Sequence, residues 1–227
     1  MRLNQFLAAA TGISRRGADD AIGAGQVSVN GKLAVLGQQI DPGIDQVQLS
    51  GQLVKIAPYH TIVFNKPTGY VTSRAGQGSQ TIYDLLPTEM SALKPAGRLD
   101  KDSSGLLILT NDGHLSNRLV HPSHHQVKRY QIELDRPLDD GDAGRLADGV
   151  GLAEGISQIK LIAESGSDLT IELTTGWNRQ IRRTFEALKY DVESLERLSI
   201  GKVQIGKLAT GQWRELTDQE ATWLASL

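Results

Sequence analysis

Gly97-Arg98-Leu99-Asp100-Lys101-Asp102-Ser103-Ser104-Gly105-Leu106-Leu107-Ile108-Leu109-Thr110-Asn111-Asp112-Gly113 joins a polar loop to an apolar run in the middle of the chain. Its first half is a polar loop with two Asp, an Arg, two Ser and two Gly. Its second half is an apolar run too short for most helices and closed by Asn-Asp-Gly, the signature of a buried strand. A loop of this kind can hold a carboxylate where the backbone runs close to a ligand. It can equally be a turn in which Asp side chains cap backbone N–H groups. Neither the phosphate-binding spacing ending in Gly-Lys-Ser/Thr nor the dinucleotide fingerprint is present. Arg74-Ala75-Gly76-Gln77-Gly78 holds only a bare Gly-x-Gly.

Around this stretch, several segments read as strands: His60 to Asn65, Lys128 to Leu134, and a hairpin formed by Ile159 to Ala163 and Leu169 to Leu173. Asn178 to Leu188 has Ile181, Phe185 and Leu188 on one helical face, and Thr217-Asp218-Gln219-Glu220 opens a last helix with a capping-box pattern. Elements interleave irregularly and hairpins are common, so the expected class is α+β with a mixed, largely antiparallel sheet flanked by helices. Upstream, Leu3, Phe6, Leu7 and Ala10 mark one face of a first helix, and Ser14 is the expected N-cap of a second carrying Ala18, Ala21 and Ile22. Val27-Ser28-Val29-Asn30-Gly31-Lys32-Leu33 then reads as a hairpin around Asn-Gly. Residues 1–57 form the expected first domain and 58–227 the second, with Pro58 at the boundary.

Composition limits the chemistry. The 227 residues contain no cysteine, which removes disulfides, thiol nucleophiles and thiolate metal sites. No apolar stretch approaches the ~18 residues of a membrane helix, and the N-terminus lacks a signal-peptide pattern, so a cytoplasmic protein is expected. Net charge is −2, so any nucleic-acid binding has to rest on local positive charge. Between Trp177 and Lys207 seven basic residues face four acidic ones, a local excess of that kind. His121, His124 and His125 cluster around Pro122-Ser123 but lack partners for a metal site, and a surface loop is expected there.

The stretch Gly97 to Gly113 closely resembles the catalytic motif of pseudouridine synthases, most of all the branch that modifies bacterial ribosomal RNA and carries an N-terminal S4 domain (RsuA-like). Asn65-Lys66-Pro67-Thr68-Gly69-Tyr70, Lys128-Arg129-Tyr130, Asn178-Arg179-Gln180-Ile181-Arg182-Arg183 and Glu196-Arg197-Leu198-Ser199-Ile200-Gly201 follow in the family's order. Ile13 to Asp19 and Gly25 to Lys32 resemble the S4 RNA-binding domain. That module carries five basic residues against four acidic ones, so it is only weakly basic.

The resemblance implies an S4-like domain followed by a pseudouridine synthase domain that flips a uridine of ribosomal RNA and isomerises it, without metal or cofactor. Breaking N1–C1′ and joining C5 to C1′ changes no oxidation state. The implied catalytic carboxylate is Asp100, able to add to base or sugar or to remove a sugar proton; Asp102 is read as a turn cap. Arg182 matches the arginine that pairs with the catalytic Asp and would keep it ionised in a closed pocket. Tyr130 matches the tyrosine that stacks on the target uracil, with Lys128 two residues away on the same strand face. Arg98 resembles the arginine that props the space left by the flipped base. Further expected RNA contacts are Arg15, Arg16, Lys32, Lys66, Arg179 and Arg183, with Lys66-Pro67 read first as a shaped turn. The expected partner is a structured rRNA stem-loop, in free RNA or an assembling subunit, and a monomer is expected. Two rivals stand beside this reading: a non-catalytic RNA-binding or ribosome-assembly protein that retains the fold, and a glycosidic hydrolase using Asp100 and Asp102 as a carboxylate pair.

Overall fold

The computed structural model describes residues 1–227, the side chain of Pro122 excepted. Two helices open the chain, α1 (Leu3–Thr11) and α2 (Arg15–Gly23). Gly12 ends the first in the left-handed region at φ 80°, and Ser14 caps the second by accepting from Gly17 N–H at 2.9 Å. Strands β1 (Val27–Val29), β2 (Lys32–Leu33), β3 (Val47–Leu49) and β4 (Gln52–Leu53) form an antiparallel sheet in the order β2-β1-β3-β4. Its two tight turns both have positive φ at two successive residues, Asn30-Gly31 and Ser50-Gly51, as hairpin turns of this twist require. The second hairpin has no Asn-Gly or Asp-Gly signal, and β4 was not expected. Leu3, Phe6, Leu7, Ala18, Ile22, Val27, Val29 and Val47 make a core for this unit alone. The compact units are Met1–His60 with Asn111–Gly113, and Thr61–Thr110 with His114–Leu227.

The larger unit is built on one sheet. Its strands are β5 (Thr61–Lys66), β6 (Lys94–Ala96), β7 (Ser104–Thr110), β8 (Lys128–Leu134), β11 (Lys160–Ser165), β12 (Asp168–Leu173), β13 (Val192–Ile200), β14 (Val203–Gln204) and β15 (Trp213–Glu215). They run in the order β11-β12-β8-β13-β7-β5-β15, with β14 on β13 and β6 on β7. Every pairing is antiparallel except β13 with β7, so the sheet is mixed and largely antiparallel. A separate hairpin joins β9 (Val150–Leu152) to β10 (Gly155–Ser157). Four helices complete the unit: α3 (Gly113–Val120), α4 (Asp140–Asp148), α5 (Gln180–Ala187) and α6 (Asp218–Ser226). The predicted capping box at α6 is present, with Thr217 and Glu220 satisfying each other's N–H groups.

The unbroken apolar run of β7 has a simple cause. Leu106 and Ile108 face one core with Leu115, Leu119 and Val203, while Leu107 and Leu109 face another with Ile82 and Met90. Both faces of the strand are buried, so the alternation of a half-exposed strand is absent. β8 and β12 face a third core through Tyr130, Ile132, Leu169 and Ile171, packed against Ile181 and Phe185 of α5. The one parallel seam, β7 against β13, places the loop at 97–103 beside the start of α5.

Candidate active site

A cleft of about 360 Å³ opens where the 97–103 loop, β8, β13 and the 174–182 segment meet. Asp100 is the one carboxylate among its described lining residues, against Arg98, Lys128, Arg179, Arg182 and Arg197. The Asp100 side chain is 40 % exposed.

The loop that carries Asp100 is held from beneath by 66–72. Lys66 is fully buried. Its ammonium donates to the carbonyls of Pro67 (3.0 Å), Asp100 (2.9 Å) and Ser103 (2.7 Å). Burial lowers its pKa to about 8 against the opposing pull of Asp100 and Asp102. The Thr72 hydroxyl donates to Leu99 C=O at 2.7 Å, and Gly69 N–H to Lys101 C=O at 2.7 Å. The expectation of an RNA contact at Lys66 is therefore corrected. All three of its donors are engaged by backbone, and it works as a clamp within the turn.

The charge pairing also differs from expectation. Arg182 does not pair with Asp100. Its guanidinium is fixed by two backbone carbonyls, those of Val192 and of Asp102 (2.9 Å for the latter), and its Nε faces the Asp102 carboxylate at 3.3 Å. That Nε lacks hydrogen-bond geometry, so the contact is an ion pair only. Held this way in the first turn of α5, Arg182 reaches the side of the loop that carries Asp102. Arg179, just before the helix in the left-handed region at φ 47°, spans both acids. It grips Asp102 with a fork at 3.1 and 2.9 Å and brings Nη1 to 3.9 Å from Asp100. Burial pushes the Asp102 carboxyl up, but the Arg179 hydrogen bonds and the charges of Arg182 and Arg179 outweigh it and hold it below the usual range. Asp102 is thus more than a turn cap, because it anchors two arginines.

Tyr130 is 7 % exposed, packed in the core and lining the cleft at once. Lys128 shares its face, donates to Gln126 and Thr174 carbonyls at 3.2 Å each, and has a pKa lowered to about 8 by burial and then by the Arg197 charge. Arg98 is exposed at the cleft. Arg183 is turned away into an ion pair with Glu154 at 2.8 Å. On the first unit, Arg15, Arg16 and Lys32 are exposed. The histidine loop is local: His121 bonds Ser123 at 2.8 Å and packs edge-on to His124. Among the described residues no three His, Asp or Glu side chains group as a metal site.

Arg197 received no role from the sequence beyond its place in a motif. It is 3 % exposed and paired in register with Tyr130 on one side and Gly105 on the other. Nε donates to Leu106 C=O at 2.7 Å and Nη1 to Arg98 C=O at 3.5 Å, while Nη2 is buried without a hydrogen-bond partner. Gly105 makes this approach possible. At φ 102°, a Cβ there would lie 2.4 Å from the Arg197 carbonyl oxygen. The available signal was alternation: Leu195 and Arg197 fall on the same strand face, an inward position that an arginine seldom takes without a task.

Residues 60–187 match the family described as RNA pseudouridylate synthase, and residues 1–43 match the S4 domain. The dual-specificity RNA pseudouridine synthase RluF of Escherichia coli K12 is 36 % identical over 97 % of this chain and 77 % of its own length. Ribosomal large subunit pseudouridine synthase B of Haemophilus influenzae is 35 % identical over 100 % of this chain and 67 % of its own. A solved pseudouridylate synthase is 32 % identical and superposes with a TM-score of 0.73 over 99 % of both chains.

Proposed function

The chain belongs to the RNA pseudouridylate synthase family, and from that premise we propose that it acts on a uridine of structured ribosomal RNA with Asp100 as its catalytic carboxylate. As a member of the family it isomerises uridine in RNA to pseudouridine. The observation that carries the choice of Asp100 is its position as the one carboxylate among the described residues of the cleft. Asp102 is engaged by Arg179 and Arg182 and held ionised. A hydrolase reading requires one carboxyl of a pair to carry a proton at working pH, and Asp102 has the opposite perturbation. In this reading Tyr130 offers its ring to the flipped base, Arg179 is the cation nearest the Asp100 carboxylate, and Arg182 acts through Asp102.

Ribosomal RNA is favoured as substrate class because two relatives, over most of this chain, carry RNA or large-subunit specificity in their names, and because the S4-like unit exposes Arg15 and Arg16 at the start of α2. No helix is long and apolar enough to cross a membrane, and the proposal places the enzyme with ribosomal RNA in the cytoplasm, as a monomer. The test is a map of pseudouridines in ribosomal RNA from cells with and without the gene. Loss of one or a few sites is expected, restored by the wild-type chain. Identical maps would overturn the ribosomal target and favour a non-catalytic RNA-binding role there.

A further inference from the structure

We propose that Arg197 is a catalytic residue that donates to a carbonyl oxygen of the target uracil and stabilises the negative charge the base carries while detached from the sugar. The inference rests on the pseudouridine synthase reading above. Two arms of the guanidinium are used within the protein, on the carbonyls of Leu106 and Arg98, which bracket the Asp100 loop. The third, Nη2, is buried and unpartnered, although the residue lines the cleft beside Tyr130 and Lys128. A buried donor left without an acceptor is uncommon, and in a cleft it points to an acceptor that arrives with the ligand. At 3 % exposure Arg197 is out of reach of an RNA phosphate, whereas a flipped base entering the cleft comes to it. Both Lys128 and Arg197 are cations in a poorly solvated place, with no carboxylate from the protein joined to either by a hydrogen bond.

The reaction requires such a group. When N1–C1′ breaks, the electron pair leaves with N1, and uracil holds one negative charge spread over N1 and its two carbonyl oxygens. Asp100 gives up its own charge at that moment, as a C1′ ester or by taking a C2′ proton. When C5 joins C1′ the uracil charge is spent in the new bond and Asp100 recovers its own; the C5 proton then leaves and N1 gains one. A fixed donor near the carbonyl oxygens matters most while the base is free, which is the condition for lowering the barrier and not merely tightening binding.

The test compares wild type with Arg197→Gln and Arg197→Lys, on RNA carrying uridine and on RNA carrying 5-fluorouridine at the target. Single-turnover consumption of the nucleoside is measured, with RNA binding and thermal unfolding alongside. Removal of one such donor is expected to slow the chemical step about 10²–10³-fold, with RNA Kd within about threefold and with Lys recovering part of the rate. Fluorine stabilises the detached anion by itself, so the loss in either variant is expected to shrink severalfold on 5-fluorouridine. A purely structural role for Arg197 predicts equal losses on both RNAs. Equal losses, no loss, or a loss confined to binding would overturn the proposal. Should Arg197→Gln fail to fold, the same comparison is read on Arg197→Lys, which keeps the charge. Failure of wild type to form pseudouridine would instead overturn the reading on which the inference rests.

Discussion

Replacing Lys66 by Met removes the clamp beneath the Asp100 loop while keeping the volume of the stem. Three charged hydrogen bonds are lost, to Pro67, Asp100 and Ser103, and each bond of this type contributes about 1.5–3 kcal/mol. Against this, the variant no longer buries an ammonium. The fall of the Lys66 pKa to about 8 corresponds to roughly 3 kcal/mol of burial cost below that pH. The net expectation is a destabilisation of about 2–6 kcal/mol, a drop in Tm of at least ~5 °C. Activity is expected to suffer more than stability implies. Asp100 loses its backbone tether, and a misplacement of about 1 Å costs on the order of 10²-fold in rate. The assay is tritium release from RNA carrying C5-tritiated uridine, at a temperature where the variant is folded, beside a filter-binding measurement. A fall of about 100-fold in rate with RNA affinity within threefold is expected. Unchanged turnover would refute the clamp, and a large loss of affinity with unchanged turnover would restore Lys66 as an RNA contact.

Gly105→Ala would force a Cβ to within 2.4 Å of Arg197 backbone at φ 102°, and strain plus overpacking should cost about 3–5 kcal/mol; thermal unfolding within 1 °C of wild type would contradict this packing. The Lys66 pKa sets a pH signature: its folded value, about 8, lies below its unfolded one, so between pH 8 and about 10.5 the unfolded state binds more protons and wild-type stability rises with pH. Denaturant titrations of wild type and Lys66→Met should diverge over that window by up to roughly 3 kcal/mol in favour of wild type, and parallel curves would count against the burial of a charged Lys66. Joint Arg15→Ala and Arg16→Ala substitution should weaken RNA binding and lower its salt slope by up to about 2 while sparing single-turnover rate at saturating RNA; an unchanged slope would exclude α2 as a phosphate contact.

The loop-strand unit at 97–113 was legible because a specific polar string precedes a run buried on both faces, and few other arrangements satisfy both. β13 and α4 escaped notice for physical reasons. α4, Asp140–Asp148, buries only Leu146 and contains two glycines, so its helical period is faint. β13, Val192–Ile200, has register shifts on either side of Leu195–Arg197, which confine its alternation to those three residues and leave too short a signal for a strand. At the site, residue types were legible and their pairings were not. Arg179 and Arg182 are three apart, and which of them meets Asp100 depends on the left-handed Arg179 backbone and on the carbonyls that fix Arg182. Lys66 reads as a surface residue by type, and only three converging carbonyls reveal it as an interior one.

In the proposed mechanism one carboxylate, Asp100, performs the isomerisation while Asp102 only holds arginines. Asp100→Asn and Asp102→Asn, each with wild-type-like unfolding, are compared for pseudouridine formation in C5-tritiated RNA. No detectable product is expected from Asp100→Asn and a slowed but measurable rate from Asp102→Asn. Pseudouridine formed at the wild-type rate by Asp100→Asn would contradict it.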